Sequence, residues 1–248
     1  MGTHAGTTVW SVPARALPGL QRALGRFTGG PTAADAVGVA GELTATGREV
    51  APAHFPPGAT GALTVLVARL AREGLSGRCE IAVPVDVLGS AAGALVERLL
   101  EAGVGVALAG AAGPVDALAG RLPAARVVVP AAEPGAEERC RLLAAGRVRL
   151  VAGRRADAEL AFVRCLNVLM CGPGRPAVAA TDRRLLAIAG ERAAWYDRSA
   201  DSWEHVMPLG VRTDEQQRLV AAGHRVRVTV PWGPAAPAAV LRRLAGRP

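Results

Sequence analysis

The sequence predicts a (βα)8, TIM-like barrel of the α/β class. Short apolar segments begin every 20 to 30 residues or so (roughly one strand, one helix and two loops), and helix-like segments with one apolar face lie between them. Several of the short segments, such as 127–129, are apolar throughout, which is typical of parallel strands buried on both faces. A doubly wound open sheet is the alternative, but no GxGxxG motif follows an early strand.

Eight segments are predicted to be strands because each is short, apolar and bounded by turn-forming residues. They are residues 49–55, 79–88, 104–109, 125–129, 148–151, 177–180, 203–207 and 225–230. Eight strand–helix units in roughly 200 residues fit one barrel slightly below the usual size.

The segments between the strands carry helix signals. Leu63, Leu66 and Leu70 repeat at helical spacing before a terminating glycine, and residues 213–216 (TDEQ) form a capping-box pattern at the start of another helix. We divide the chain into an N-terminal segment, residues 1–30, and a barrel domain, residues 31–248. The N-terminal segment contains a predicted amphipathic helix over residues 15–27, which we expect to cover the base of the barrel.

The composition excludes several classes of function. All 29 basic residues are arginine, so no site that depends on a catalytic or phosphate-binding lysine is available. The net charge is +8, but the arginines are scattered and Tyr196 is the only tyrosine, which argues against nucleic-acid binding. The four cysteines show no CxxC pairing, and neither a secretory signal nor a transmembrane segment is predicted. We therefore expect a soluble, cytoplasmic protein.

In a barrel of this kind the chemistry lies at the carboxyl ends of the strands. The polar or aromatic residues predicted there include His54, Asp86, Thr181, Asp182 and Trp232. One histidine and two carboxylates could bind a metal ion, but their spacing is not diagnostic, and we predict no metal site. Asp182 is equally suited to cap the following helix.

The second half of the chain resembles the proline dehydrogenase family. The resemblance is carried by residues 149–153 (RLVAG), 177–182 (AVAATD), 204–212 (EHVMPLGVR), 218–233 (RLVAAGHRVRVTVPWG) and 242–248 (RRLAGRP), which follow the family's order and spacing and lie mainly within residues 147–248. The resemblance implies a distorted (βα)8 barrel that binds FAD. It also implies FAD-dependent oxidation of L-proline, or a related cyclic imino acid, to pyrroline-5-carboxylate.

The resemblance assigns roles to five residues. Arg242 and Arg243 match the arginine pair that holds the substrate carboxylate in the family, a role that suits the planar guanidinium group. Arg149 and Gly153 match residues that contact the flavin, and Thr181 stands at a third such position, where the family has the histidine of a Thr-His pair. Each has a structural alternative: arginines near a helix end complement its dipole, and a glycine often forms a turn.

Other family positions differ in this chain. Ala152 and, in a looser alignment, Pro84 stand where the family has lysines, Thr229 and Ala239 replace tyrosines, and Gly246 replaces a glutamate. A flavin ring needs hydrogen-bonding partners at its polar edge. Two hypotheses remain open: a diverged flavoenzyme, or a non-catalytic pseudoenzyme that binds a small carboxylate or a protein partner. A homo-oligomer is compatible with both.

Overall fold

The computed structural model describes residues 24–153 and 156–244. Only residues 24–27 of the predicted N-terminal helix fall within these ranges. That helix, and the division of the chain near residue 30, therefore remain predictions.

Eight parallel strands form the barrel predicted from the sequence. They are β1 Glu49–His54, β2 Glu80–Pro84, β3 Gly105–Ala109, β4 Arg126–Pro130, β5 Val148–Val151, β6 Ala177–Ala179, β7 Glu204–Pro208 and β8 Arg225–Trp232. Their order around the sheet is β1-β8-β7-β6-β5-β4-β3-β2. A single parallel bridge between Val50 and Cys79 joins β1 to the β2 side and nearly closes the circle. The predicted TIM-like (βα)8 fold is confirmed.

A helix follows each strand, and one further helix precedes β1. They are α1 Ala33–Ala45, α2 Thr60–Arg72, α3 Ala91–Glu101, α4 Ala112–Arg121, α5 Ala136–Leu143, α6 Ala156–Cys171, α7 Arg183–Trp195, α8 Thr213–Ala221 and α9 Ala236–Leu244. The sequence analysis did not predict α1. Its start nevertheless carries a local signal, because Thr32 and Asp35 cap it reciprocally.

The main hydrophobic core lies between the sheet and the helices. Alternate strand residues face outwards into it, for example Ile81 and Val83 of β2, while Leu63, Leu66 and Leu70 of α2 are buried as predicted. Burying one such side chain stabilises the fold by about 1.5–3 kcal/mol. The remaining strand positions must therefore face the interior of the barrel.

The predicted second strand, residues 79–88, is shorter than expected. β2 ends at Pro84, and Val85–Leu88 form a single α-helical turn that ends at Gly89, whose φ is +52°. Asp86 is thus in this turn, where its carboxylate accepts a 2.8 Å hydrogen bond from the backbone N–H of Ala111. This contact with the loop after β3 favours the helical turn over the continued strand that the local apolar pattern predicts.

The predicted capping box over residues 213–216 also differs. Thr213 is already helical, and the residue before it, Arg212, has a φ of +50° and makes no side-chain cap. Gln216 is buried and donates to the carbonyls of Pro208 (3.1 Å) and Val211 (2.8 Å). Its side chain therefore fastens α8 to the end of β7 instead of closing a capping box.

Within the described ranges, none of the helices combines the length and the apolar character that a bilayer crossing requires.

Candidate functional site

The carboxyl ends of the strands surround an opening lined with small, mostly apolar residues. By the alternation along each strand, one interior-facing residue near the end of each of the eight strands lies here. These residues are Ala53, Pro84, Ala109, Pro130, Val151, Ala179, Pro208 and Thr229, and all eight are partly exposed to solvent. We call this region the upper lumen.

Solvent also reaches deeper into the upper lumen. One interior layer further down, most of the described residues are buried, for example Ala107, Ala177 and Val206. Ala82 of β2 and Val128 of β4 are still partly exposed at this depth. In a barrel filled by large side chains these positions would be closed. The upper lumen is therefore an apolar recess that small strand residues leave open.

The polar residues predicted around this opening mostly hold loops. The Nδ1 atom of His54 lies 2.6 Å from the carbonyl oxygen of Pro56, and its ring packs edge-on against Trp232 with a centroid separation of 4.5 Å. Asp182 caps α7, accepting hydrogen bonds from the backbone N–H groups of Arg184 (2.7 Å) and Leu185 (3.4 Å). Since Asp86 is bonded to the loop after β3, these three side chains are not brought together. The described residues contain no group of metal-ligating side chains that could hold an ion.

Arg149, one of the predicted flavin-binding residues, is buried inside the barrel. Its guanidinium donates a hydrogen bond to the Glu80 carboxylate, which also accepts one from Arg126 at 2.9 Å. Burial alone would raise the pKa of Glu80, but the neighbouring arginines outweigh it and lower the pKa to about 2. Glu80 therefore stays ionised at neutral pH and holds Arg149 in place.

Gly153 and Thr181 lie beyond the ends of β5 and β6. A Cβ atom on Gly153 would lie 2.3 Å from the Cβ atom of Ala158 in α6, so this close approach of loop and helix requires glycine. The Thr181 side chain is exposed, and its carbonyl oxygen accepts a hydrogen bond from Arg212.

Arg242 and Arg243 lie in the last turn of α9. The helix is anchored by Ala236 and Val240, which are both buried. Arg242 is exposed, and Arg243 is partly buried. Adjacent positions on a helix lie roughly 100° apart around its axis, so the two side chains leave the end of α9 in neighbouring directions.

Sequence reasoning missed a cluster of charges inside the lower half of the barrel. Glu204 of β7 contacts Arg126 of β4 at 3.0 Å and Arg227 of β8 at 3.0 Å, and Arg227 also bonds to Glu49 of β1. The sequence did carry a signal, since several otherwise apolar strands begin with a charged residue. Those charges looked like solvated strand ends, whereas barrel closure turns them towards one another.

The barrel matches solved structures of proline utilization A. The protein from Bdellovibrio bacteriovorus superposes with a TM-score of 0.76 and 18% identity, covering 91% of this chain and 32% of that one. The protein from Corynebacterium freiburgense superposes with a TM-score of 0.66 and 16% identity, covering 93% and 32%. At these identities the likeness concerns the fold.

The sequence itself matches a proline dehydrogenase over a shorter segment. Proline dehydrogenase 1 from Bacillus subtilis (strain 168) is 30% identical over 94 residues, which is 38% of this chain. The resemblance to the proline dehydrogenase family is confirmed. The likeness is partial: no protein-family model matches the chain, and it spans 31% of the length of the Bacillus subtilis protein.

Proposed function

We propose that this proline dehydrogenase-like barrel binds a small, largely apolar carboxylate such as proline in the upper lumen, without oxidising it through a flavin. The observation that carries the proposal is the partial exposure of all eight small residues that line the upper lumen. Sites of this kind at the carboxyl ends of barrel strands are concave and mostly apolar, with few polar groups that orient the ligand.

Arg242 and Arg243 supply the polar groups of the proposed site. A guanidinium group forms two parallel, charge-assisted hydrogen bonds to a carboxylate, which fixes both the position and the orientation of a small acid. The apolar ring of a ligand such as proline would then occupy the recess between the strand ends. The family resemblance of the arginine pair supports this assignment.

The flavin fits this chain poorly. Arg149 is bound to Glu80 inside the barrel, and the space beside Gly153 is filled by Ala158. Among the described strand residues, the side chains that face the upper lumen are alanine, proline, valine and one threonine, which offer little hydrogen bonding to the polar edge of an isoalloxazine ring. We therefore favour the pseudoenzyme hypothesis and derive no redox step.

FAD-dependent oxidation of L-proline to pyrroline-5-carboxylate is the second candidate function. It is favoured by the match to proline dehydrogenase 1 and by the presence of Arg149, Gly153 and Thr181 at family positions. Under this hypothesis these three residues would hold FAD, and the flavin would accept the hydride.

Two measurements on the purified protein separate these functions. Calorimetric titration with L-proline should show saturable binding. Pyrrolidine, which lacks the carboxylate, tests dependence on that group, and D-proline tests dependence on the configuration at the α-carbon. The absorbance spectrum, before and after incubation with FAD, should contain no protein-bound flavin band. A bound flavin that bleaches on anaerobic addition of proline would establish the second candidate function, FAD-dependent oxidation of proline. A colourless protein that binds neither proline nor other small carboxylates would refute the proposed site.

The cellular setting is also part of the proposal. The described residues include four free cysteines, three of them buried, which suits a reducing compartment and supports a cytoplasmic location. The chain would act there as a homo-oligomer or with a protein partner. Light scattering after size-exclusion chromatography would reveal self-association.

A further inference from the structure

A second cavity lies at the opposite, amino-terminal end of the barrel. We call it the base cavity. It has a volume of about 280 Å³, and its charged lining consists of Glu49, Glu80, Arg147, Arg225 and Arg227. Since the upper lumen opens at the carboxyl ends of the strands, the base cavity is independent of the site proposed above.

Three carboxylates pair with four of the arginines around the base cavity. Glu49 contacts Arg225 at 2.8 Å and also bonds to Arg227. Glu204 contacts Arg227 and Arg126, and Glu80 contacts Arg126 and Arg149. Each carboxylate is therefore already shared between guanidinium groups.

Arg147 is the fifth arginine of this cluster and has no carboxylate partner among the described residues. Its Nε atom is buried and makes no hydrogen bond. Burial, followed by the nearby charge of Arg126, lowers the pKa of Arg147. A buried donor and an unpaired charge at the same place are both unfavourable unless a ligand satisfies them.

The charges of the cluster do not balance. Among the described residues, the five guanidinium groups of the cluster (Arg126, Arg147, Arg149, Arg225 and Arg227) outnumber its three carboxylates (Glu49, Glu80 and Glu204) by two. Three of these arginines and two of the carboxylates line the base cavity itself. The surroundings have a low dielectric constant, so this excess is weakly screened. A ligand with two negative charges would neutralise it.

We infer that the base cavity binds a small oxyanion with two negative charges, of the size of inorganic phosphate, held by Arg147 and Arg225. Guanidinium groups match the oxygen geometry of phosphate through paired N–H donors. The volume admits a tetrahedral ion with several waters, since one water occupies roughly 30 Å³ in the liquid. It is too small for a nucleotide, so the ligand is a free oxyanion or the phosphoryl end of a short metabolite.

Equilibrium dialysis with radiolabelled inorganic phosphate tests the inference directly. The wild-type protein should bind one phosphate per chain, and sulfate should compete with it. The thermal midpoint should rise with the logarithm of the phosphate concentration, beyond the change that sodium chloride causes at equal ionic strength. Glycerol phosphate, added as a competitor, distinguishes a free oxyanion from the phosphoryl end of a short metabolite. If glycerol phosphate binds more tightly than inorganic phosphate, the ligand is a phosphorylated metabolite.

Arg147→Gln is the decisive variant, because Arg147 makes no ion pair with another described residue whose loss would unfold the barrel. It should weaken phosphate binding at least roughly tenfold and abolish the phosphate-dependent rise in the thermal midpoint. Arg147→Lys should bind with intermediate affinity, since it keeps the charge but loses the fork of donors. Arg72→Gln, which removes an exposed arginine from α2, is the matched control and should bind phosphate as the wild type does.

Two results would overturn the inference. One is the absence of stoichiometric phosphate binding by the wild-type protein at millimolar concentration. The other is binding that persists unchanged in Arg147→Gln, which would mean that phosphate occupies the basic surface and not the base cavity. Neither result bears on carboxylate binding in the upper lumen, so the two proposals fail separately.

Discussion

The guanidinium group of Arg149 in β5 donates a hydrogen bond to the carboxylate of Glu80 at the start of β2, across the interior of the barrel. The two side chains are buried, and Glu80 also bonds to Arg126. This contact assigns a structural role to the arginine that family resemblance places at a flavin. The barrel is thus held together from within by charges as well as by the core beneath its helices.

Glu80→Gln should destabilise the fold strongly. The substitution keeps the shape of the side chain but leaves the buried charge of Arg149 without its carboxylate, a change that typically costs about 3–5 kcal/mol, and Arg126 keeps its ion pair with Glu204. The free energy of unfolding from urea titration measures the loss. Glu137→Gln, which breaks an exposed pair with Arg141 on α5, is the control and should have a much smaller effect. Equal losses in the two variants would contradict the structural role of the buried network.

Acidification should weaken the fold through His205. This side chain of β7 is 2% exposed, and its ring lies against Trp203 and near His224. Burial, together with the charge of His224, lowers its pKa from 6.5 to about 4. Between pH 6.5 and 4 the unfolded chain therefore binds the proton more readily, so stability is full above pH 6.5 and falls as the pH falls towards 4. The loss amounts to about 3 kcal/mol by linkage.

The measurement for His205 is the thermal or urea midpoint as a function of pH. In His205→Leu the slope between pH 6.5 and 4 should be shallower than in the wild type, because the titrating group is gone. Leu142→Gln, which replaces an exposed and non-titrating side chain of α5, is the control and should keep the wild-type slope. Parallel profiles for the wild type and His205→Leu would refute the assignment.

Gly153→Ala should destabilise the link between β5 and α6. The added methyl group would lie 2.3 Å from the Cβ atom of Ala158 and 3.3 Å from that of Ala132. Overpacking of this kind costs about 1–3 kcal/mol. Gly190→Ala in α7 is the matched control, since nothing lies within 4 Å of its added Cβ atom, and it should stabilise the helix by about 0.5–1 kcal/mol. Urea titration gives the free energy of unfolding of both variants. A loss in Gly153→Ala alone would show that crowding by Ala158, and not the replacement of glycine itself, destabilises the fold.

Loss of the Asp182 cap should cost about 1 kcal/mol. In Asp182→Ala the backbone N–H groups of Arg184 and Leu185 lose their acceptor at the start of α7. Asp214→Ala, in the first turn of α8, removes an exposed carboxylate without such a cap and should cost less. A comparison of the two midpoints in urea tests the difference.

Substitution of the arginine pair should weaken carboxylate binding. Arg242→Gln and Arg243→Gln should each raise the dissociation constant for L-proline by roughly 10- to 100-fold, since a hydrogen bond to a charged group is worth about 1.5–3 kcal/mol. Calorimetry gives the constants. Arg72→Gln serves again as a control for net charge, and unchanged affinity in both arginine variants would place the carboxylate elsewhere.

Much of the fold is readable from local patterns. Strand and helix periods act over a few residues, so the positions of β5, α2 and the Asp182 cap follow from neighbouring side chains alone. The same local reasoning extends the second strand through Asp86 and makes Gln216 part of a capping box. Both errors arise because a contact with a distant backbone group outweighs the local preference.

The contacts of the candidate site were less predictable from the sequence than the fold, because they form only when the barrel closes. The sequence by itself determined the eight strand–helix units, the absence of lysine chemistry and the resemblance to proline dehydrogenases. Only the tertiary structure decided that Arg149 bonds to Glu80, that the upper lumen stays open, and that Arg147 has no carboxylate partner within the described part of the chain. These features join residues from strands far apart in the chain, and such pairings are set by the register and closure of the sheet, which no local period encodes.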